Sequence, residues 1–506
     1  MASASDVANR IPITIAVMLA TVMNSLDSTI ANVALPHIQG SLSASPDQIT
    51  WVLTSYLIAT AIMTPLSGWL SIRVGRKLMF MASILGFTVA SMLCGIAGNL
   101  GEMVVFRLLQ GLFGASLIPL SQALVLDLYP PRQVGQVMAL WGAAAILGPI
   151  CGPTLGGWLT DNYSWRWVFY INVPIGALAL AGVAFFMTGG GGAKGRRFDF
   201  IGFGALTTAV AAFQLVVDRG PELDWFSSRE IWTEAIIAGA ALWVFIVQTF
   251  SAKEPFFPRA LSLDRNFVTC TIFGFFIGVL LFSSMALMPP MMQQLMGYSA
   301  LESGLISMPR GLGSFVAMFI VGRLVGRVDT RLILLAGLLT SAFALSMMTR
   351  FDLDMNSTPM IVSGLIQGFG SGFIFVPLSA VAFTTLPPHF RPEAAGLYNL
   401  MRSLGSSVGI SIMQALWTSN TQVVHSSLAG RVVPGDPAPT AMLPPFYDLG
   451  TAAGLTAFNG ELTRQAAMVA YLDDFRLMLI ITVSVMPLLL LIKTTRAPIN
   501  PQMAVD

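Results

Sequence analysis

The chain of 506 residues is 55% hydrophobic and only 10% charged, with a mean hydropathy of +0.74 and a net charge of +2. Such a composition excludes a water-soluble globule, and a near-neutral balance without a basic block excludes a nucleic-acid-binding surface. Apolar runs of roughly 20 residues, the length that crosses about 30 Å of hydrocarbon at 1.5 Å per residue, recur along the chain. They predict an all-α membrane protein with fourteen spans at 11–33, 50–70, 78–98, 104–127, 136–159, 167–187, 199–218, 231–250, 267–290, 301–321, 331–349, 359–383, 394–417 and 475–493.

The first run is longer than a signal-peptide core and no small-x-small cleavage site follows it, so it reads as a retained helix. It holds one carboxylate, Asp27, within the stretch LDSTIANVALP. On insertion scales a charge near the bilayer centre costs about 2.5–3.5 kcal/mol, so it needs a partner or a task. Ala20, Asn24, Asp27 and Ala31 share a helical face of small and polar residues expected to point into the bundle. Between the second and third spans, GWLSIRVGRK supplies Gly68 and Gly75 for tight helix ends and sets Arg73, Arg76 and Lys77 at headgroup level.

The fourth span carries Arg107, Gln110, Gly111, Gly114, Ser121 and Gln122 as one polar, small-residue stripe at helical period, which must face protein or water. The helical rise places Asp27 about 9 Å and Arg107 about 5 Å below the outer surface, a gap a long arginine closes. Burial disfavours the charged carboxylate and a neighbouring guanidinium favours it, opposed pulls that suit reversible protonation. In the fifth span Gly148, Gly152 and Gly156 recur every fourth residue, with Pro149, Pro153 and Gly157 beside them. That face without side chains permits close backbone approach, and the prolines bend the helix.

Spans seven and eight follow a glycine-rich basic linker, GGGGAKGRR at 189–197. The Met-rich run SMALMPPMMQQLM at 284–296 reads as packing or as flexible lining for apolar ligands ahead of a soft-metal site. LIQGFGSGFIFVPLS at 365–379 repeats LLQGLFGASLIPLS at 108–121. Gln110 and Gln367, Pro131 and Pro388, Gly148 and Gly405, and Gly152 and Gly409 are each 257 positions apart, while 68–77 matches 322–331 at an offset of 254. The chain therefore reads as a duplicated six-helix bundle: residues 1–187, an inserted pair at 188–266, and a second bundle at 267–506 with an outer loop at 418–474. Repeated halves enclosing a midplane site are the architecture of rocking transporters. Asn24, Gln110, Ser121, Gln122, Gln367, Asn399 and Arg402 are the candidates for lining that site.

Enzyme signatures are poor. Gly405 to Gly409 satisfies GxSxG, but in mid-span and with no His or Asp nearby in the chain. Neither a Walker A sequence nor HExxH occurs, and His37, His389 and His425 are scattered over loops. Cys94, Cys151 and Cys270 all fall in apolar runs, against a disulfide framework. With both termini inside, 17 Lys and Arg lie on inner segments against 7 on outer ones, which sets the orientation.

LDSTIANVALP, GWLSIRVGRK, RLLQGLFGA, GPICGPTLGG within 148–176, and DRGPELDWFSS at 218–228 resemble the fourteen-span drug:proton antiporters of the major facilitator superfamily, over residues 11 to 417. The resemblance implies proton-driven export of hydrophobic drugs without a cofactor or metal. It also implies a multi-pass protein of the bacterial inner membrane that works with an EmrA-like periplasmic adaptor and a TolC-like outer-membrane channel. It gives Asp27 and Arg107 the proton-coupling role, Gly148, Gly152, Pro153, Gly156 and Gly157 the antiporter motif, and Gly68, Arg73, Gly75, Arg76 and Lys77 the cytoplasmic gate. Where that gate loop usually has an acid, Ile72 stands here, which leaves the gate ion pair of this half without its expected carboxylate. A nutrient-importing facilitator and a non-transporting sensor or scaffold are the alternatives.

Overall fold

Helix after helix begins at a side chain that accepts a backbone N–H: Asn99, Asp199, Ser228, Asp264, Ser299, Asp329 and Thr451 all cap in this way. Each such cap stabilises a helix start by about 1 kcal/mol. The computed structural model describes residues 9–130, 133–189, 198–430 and 449–493, with Asp6, Pro444 and Tyr447. Most of the predicted basic linker and residues 431–443 of the predicted outer loop lie outside this set.

Thirteen described helices are long and apolar enough to cross a membrane. They are α1 (Arg10–Ser41), α2 (Trp51–Val74), α3 (Arg76–Ile96), α4 (Leu100–Leu128), α5 (Val134–Asn162), α6 (Trp167–Phe186), α7 (Phe200–Arg219), α8 (Arg229–Ser251), α9 (Arg265–Leu295), α10 (Leu301–Leu324), α11 (Thr330–Met348), α12 (Thr358–Val381) and α14 (Ala452–Leu491). The fourteenth, α13 (Arg391–Ala429), runs for 39 residues, and Asn399, Arg402 and several serines dilute its apolar character.

The sequence places an outer loop at 418–474 whose start, TSNTQVVHSSLAG, also reads as an amphipathic continuation of the preceding helix, and the structure is helical there and over the far end of the segment as well. α13 runs on to Ala429 and α14 already begins at Ala452, so most of that segment is two helical arms. A hydropathy pattern registers only the stretch that faces lipid and passes over the polar helical arms.

The repeat seen in the sequence appears as repeated packing. α1 lies on α5 as α9 lies on α13, and α2 on α4 as α10 on α12; α5 meets α10 and α2 meets α13 across the seam. α7 and α8 form a hairpin that joins the rest through α7, which touches α2 and α13. α8 leaves Trp232, Ile236, Trp243 and Phe250 exposed, as suits a helix facing lipid.

Glycines set the close approaches. A Cβ at Gly148 would fall 2.2 Å from the Ser25 backbone, one at Gly152 2.2 Å from Thr29 Oγ1, and one at Gly156 2.7 Å from Ile30 Cγ1. The same contact recurs in the second half, where a Cβ at Gly405 would lie 2.1 Å from the Phe275 carbonyl. Gly157 is different: its nearest neighbour, Val33, would be 3.9 Å away.

Candidate functional site

Asp27 is 0% exposed and sits inside the first group of helices, where three donors converge on it. Arg107 Nη1 donates to Oδ2 at 2.8 Å, while Gln110 Nε2 and Asn172 Nδ2 donate to Oδ1 at 2.8 and 2.9 Å. Arg107, 1% exposed, also donates to the Val52 carbonyl and to Gln110 Oε1, and its guanidinium lies 4.5 Å from the Tyr56 ring centroid. Asn172 donates further to Ser91 Oγ at 2.9 Å. Charge-assisted bonds of this kind are the compensation a buried carboxylate requires. The structure thus joins Asp27 and Arg107 and adds α2, α3 and α6 to the two helices that the sequence singles out. Sequence reasoning misses Asn172, Tyr56 and Ser91. The available signal is a lone asparagine in the apolar run of the sixth span.

The other candidates fall into separate places. Asn24 donates to Tyr56 Oη and to the Gly114 carbonyl, both at 3.3 Å, and Gln110 belongs to the Asp27 network, so both lie within the first half. At the seam, Asn399 Nδ2 donates to Gln122 Oε1 at 2.9 Å, Arg402 Nη2 to Asn399 Oδ1 at 3.2 Å, and Trp141 Nε1 to Ser121 Oγ at 2.8 Å. Trp141 stacks on Phe375, and Arg402 lies 5.7 Å from that same ring. Gln367 is in the second half, donating to Ser284 Oγ at 3.1 Å beside Arg310. Among the described residues no group of three or more His, Cys, Asp or Glu is disposed to hold a metal. The Met-rich segment contributes Met288, Met291 and Met292 to a packed apolar core with Met348, Met413, Met468 and Met478.

Compared with known proteins, residues 17–410 match the Major Facilitator Superfamily. The chain belongs to the major facilitator superfamily. The multidrug export protein EmrB of Escherichia coli (strain K12) is 37% identical over 445 residues, covering 88% of this chain and 87% of that protein. The fatty acid resistance protein FarB of Neisseria gonorrhoeae is 34% identical over 487 residues, 95% of this chain and 96% of its own. A crystal structure of the human organic anion transporter MFSD10 superposes with a TM-score of 0.62 at 16% identity, covering 94% and 99% of the two chains, which bears on the fold alone. This chain is therefore an EmrB-like transporter of the superfamily.

The loop between α2 and α3 carries Ile72, yet it is not left without a carboxylate partner. Its missing acid is supplied by Asp127 at the end of α4, which pairs with Arg76 and, at 2.9 Å, with Arg391 at the start of α13. One carboxylate thereby ties the loop to the other half. Gly75 has φ +98°, a conformation that favours glycine, and a Cβ at Gly68 would lie 2.6 Å from Glu393 Cα. Its repeat mate Gly322 meets Gln136 and Ala139 of α5 in the same manner. Lys77 Nζ donates to the Ala184 carbonyl at 2.8 Å, and Arg73 lies over the Trp69 ring.

Asp27 in the first span is joined by a second buried carboxylate, on α14. Asp474 is 1% exposed, and neither of its oxygens has a hydrogen-bond partner among the described residues. The predicted span begins one residue after it, at 475, whereas α14 starts at Ala452 and turns Asp474 inward.

Proposed function

We propose that this transporter is a proton-coupled exporter of hydrophobic compounds, an antiporter that works by alternating access between two halves, 1–187 and 267–506, with 188–266 as an inserted pair. The carrying observation is the Asp27 network: a buried carboxylate held by one guanidinium and two amides, each a reversible hydrogen-bond donor. A proton arriving on Asp27 weakens its bond to Arg107, and the change is felt by α1, α2, α4 and α6 together. One proton moving down a membrane potential releases about 2.3 kcal/mol per 100 mV. That sustains roughly a 50-fold substrate gradient at about 1.4 kcal/mol per decade.

The multidrug export carried out by EmrB supports the substrate class and the direction. The excess of Lys and Arg on one set of loops supports cytoplasmic termini in a bacterial inner membrane. At about 58 Å by the helical rise, α13 exceeds the roughly 30 Å hydrocarbon core. Its polar arm, with that of α14, is where an EmrA-like adaptor would dock and lead to a TolC-like channel. Inverted membrane vesicles test the reading: imposing an inward-acid gradient should drive uptake of a hydrophobic dye and release protons on dye addition. Flux in the opposite direction would mean an importer, and absence of flux a sensor or scaffold.

A further inference from the structure

The two halves share backbone contacts and differ in charge. A Cβ at Gly111 would fall 2.5 Å from the Tyr56 carbonyl, and one at Gly368, its repeat mate, 1.8 Å from the Arg310 carbonyl. Arg310 therefore stands where Tyr56 stands. The position matched to Arg107 is Gly364, where an added Cβ would sit 3.7 Å from Arg310 Cβ, in ordinary contact with the Arg310 stem. Gln110 reaches a carboxylate, Asp27, on the first helix of its half; Gln367 reaches only a hydroxyl, Ser284, on the first helix of the other. Among the described residues the second half thus keeps a half-buried guanidinium and lacks an acid that pairs with it.

Arg310 lies about 15 Å along α10 and Arg402 about 17 Å along α13, so both are near mid-membrane. Among the described residues neither forms an ion pair. Arg310 Nη2 donates to the Leu281 carbonyl at 3.1 Å and to Ser284 Oγ at 2.8 Å, which engages one nitrogen of the fork and, among the described residues, leaves the other two without a hydrogen-bond acceptor. Arg402 has Nε buried without a partner and its guanidinium between the Phe282 and Phe375 rings, at 6.0 and 5.7 Å. Unneutralised cations at this depth, Arg402 with aromatic rings beside it, favour a counter-ion that also has an apolar body.

We infer that Arg310, held by Ser284, seats a single negative group of the transported compound, with Arg402 as a second cation toward the seam. The substrates so selected are amphipathic monoanions, a carboxylate or sulfonate on an aromatic or alkyl body. This rests on the export reading for the meaning of the site but not for its test.

The test is equilibrium binding to the full chain in lipid nanodiscs, with empty discs subtracted and no gradient imposed, so a failure of proton coupling leaves it unaffected. The probes are anilinonaphthalene sulfonate and its uncharged relative phenylnaphthylamine, both of which fluoresce on entering an apolar site. The wild type should bind both saturably and favour the sulfonate. Arg310→Gln should weaken the sulfonate by about tenfold or more, the loss of one charged hydrogen-bonded contact, and leave the uncharged probe within about twofold. Arg310→Lys should keep the preference for the anion, and Arg402→Gln should reduce it by about threefold through lost Coulomb attraction. A wild type without anion preference, equal loss of both probes, or no loss of either overturns the assignment. If Arg310→Gln does not fold, Arg310→Lys and Arg402→Gln decide the matter in its place, and an unchanged preference in the latter overturns the assignment.

Discussion

Asp27 and Asp474 are both sealed from water, but their surroundings assign them different work. Asp27 receives a guanidinium and two amides, whereas Asp474 faces no donor among the described residues. Asp27→Asn keeps the shape and removes the titration; it should insert and bind substrate, yet lose drug-induced proton release and uphill export in vesicles by about 100-fold, the scale of a lost essential group. Asp474→Asn places a neutral amide where no donor supports a carboxylate, and export should stay within about twofold of wild type. Reversed outcomes would transfer the coupling role to α14. Arg107→Ala strands Asp27 as an unpaired buried charge, a change that costs about 3–5 kcal/mol in comparable sites; slower export at neutral pH and a lower unfolding temperature are expected. Arg107→Lys should restore part of the export, since the charge survives and the fork does not. The Asp27–Arg107 pair is legible in the sequence because each is an isolated charge in an apolar run. Asn172 is less visible because a neutral amide barely disturbs hydropathy, and Asp474 because it stands one residue outside a boundary drawn from lipid exposure.

At the scale of the helix, the fifth-span glycines are readable from spacing alone, because a repeat of four puts them on one face whatever they touch. What they touch is not readable. Gly148 meets backbone of α1, which cannot move aside, so Gly148→Ala should destabilise the protein by about 1–3 kcal/mol, the usual cost of overpacking, while Gly157→Ala should be neutral in the same thermal unfolding series. The arms of α13 and α14 present the opposite case, hidden from hydropathy and plain in the structure. Residues 466–470 of α14 cannot be removed harmlessly, because Ala466, Ala467, Met468 and Ala470 are buried against the bundle. His425 and Asn459, joined at 3.0 Å, mark where the arms can be shortened. Replacing 426–458 by a short Gly-Ser linker should spare folding and vesicle transport but abolish whole-cell drug resistance, because adaptor docking is lost. Intact resistance would show that the arms do not dock an adaptor.

Across the whole molecule, duplication is legible down to single contacts: offsets of 254 and 257 pair Gly68 with Gly322 and Gly148 with Gly405, and each pair makes corresponding close approaches. Two carboxylates are not carried through the duplication: Asp27 and Asp127 match Ser284 and Thr384, whereas Arg73 and Lys77 keep a positive charge at Arg327 and Arg331. The contact between the halves illustrates it, since among the described residues Asp127 pairs both with Arg76 of its own half and with Arg391 of the other. Both arginines are partly exposed, so each pair contributes at most about 1 kcal/mol. Losing both moves an equilibrium between open and closed faces by up to about 30-fold, small beside the fold's stability and large beside the balance of two transport states. Asp127→Asn should therefore open this face without unfolding the protein. Spin labels at Val74 and Val328, exposed on the two gate loops, report it: the variant should gain a longer-distance population absent from the wild type. Identical distance distributions in the two proteins would mean that the helix contacts at Gly68 and Gly322 close this face by themselves, and that the ion pairs only decorate it.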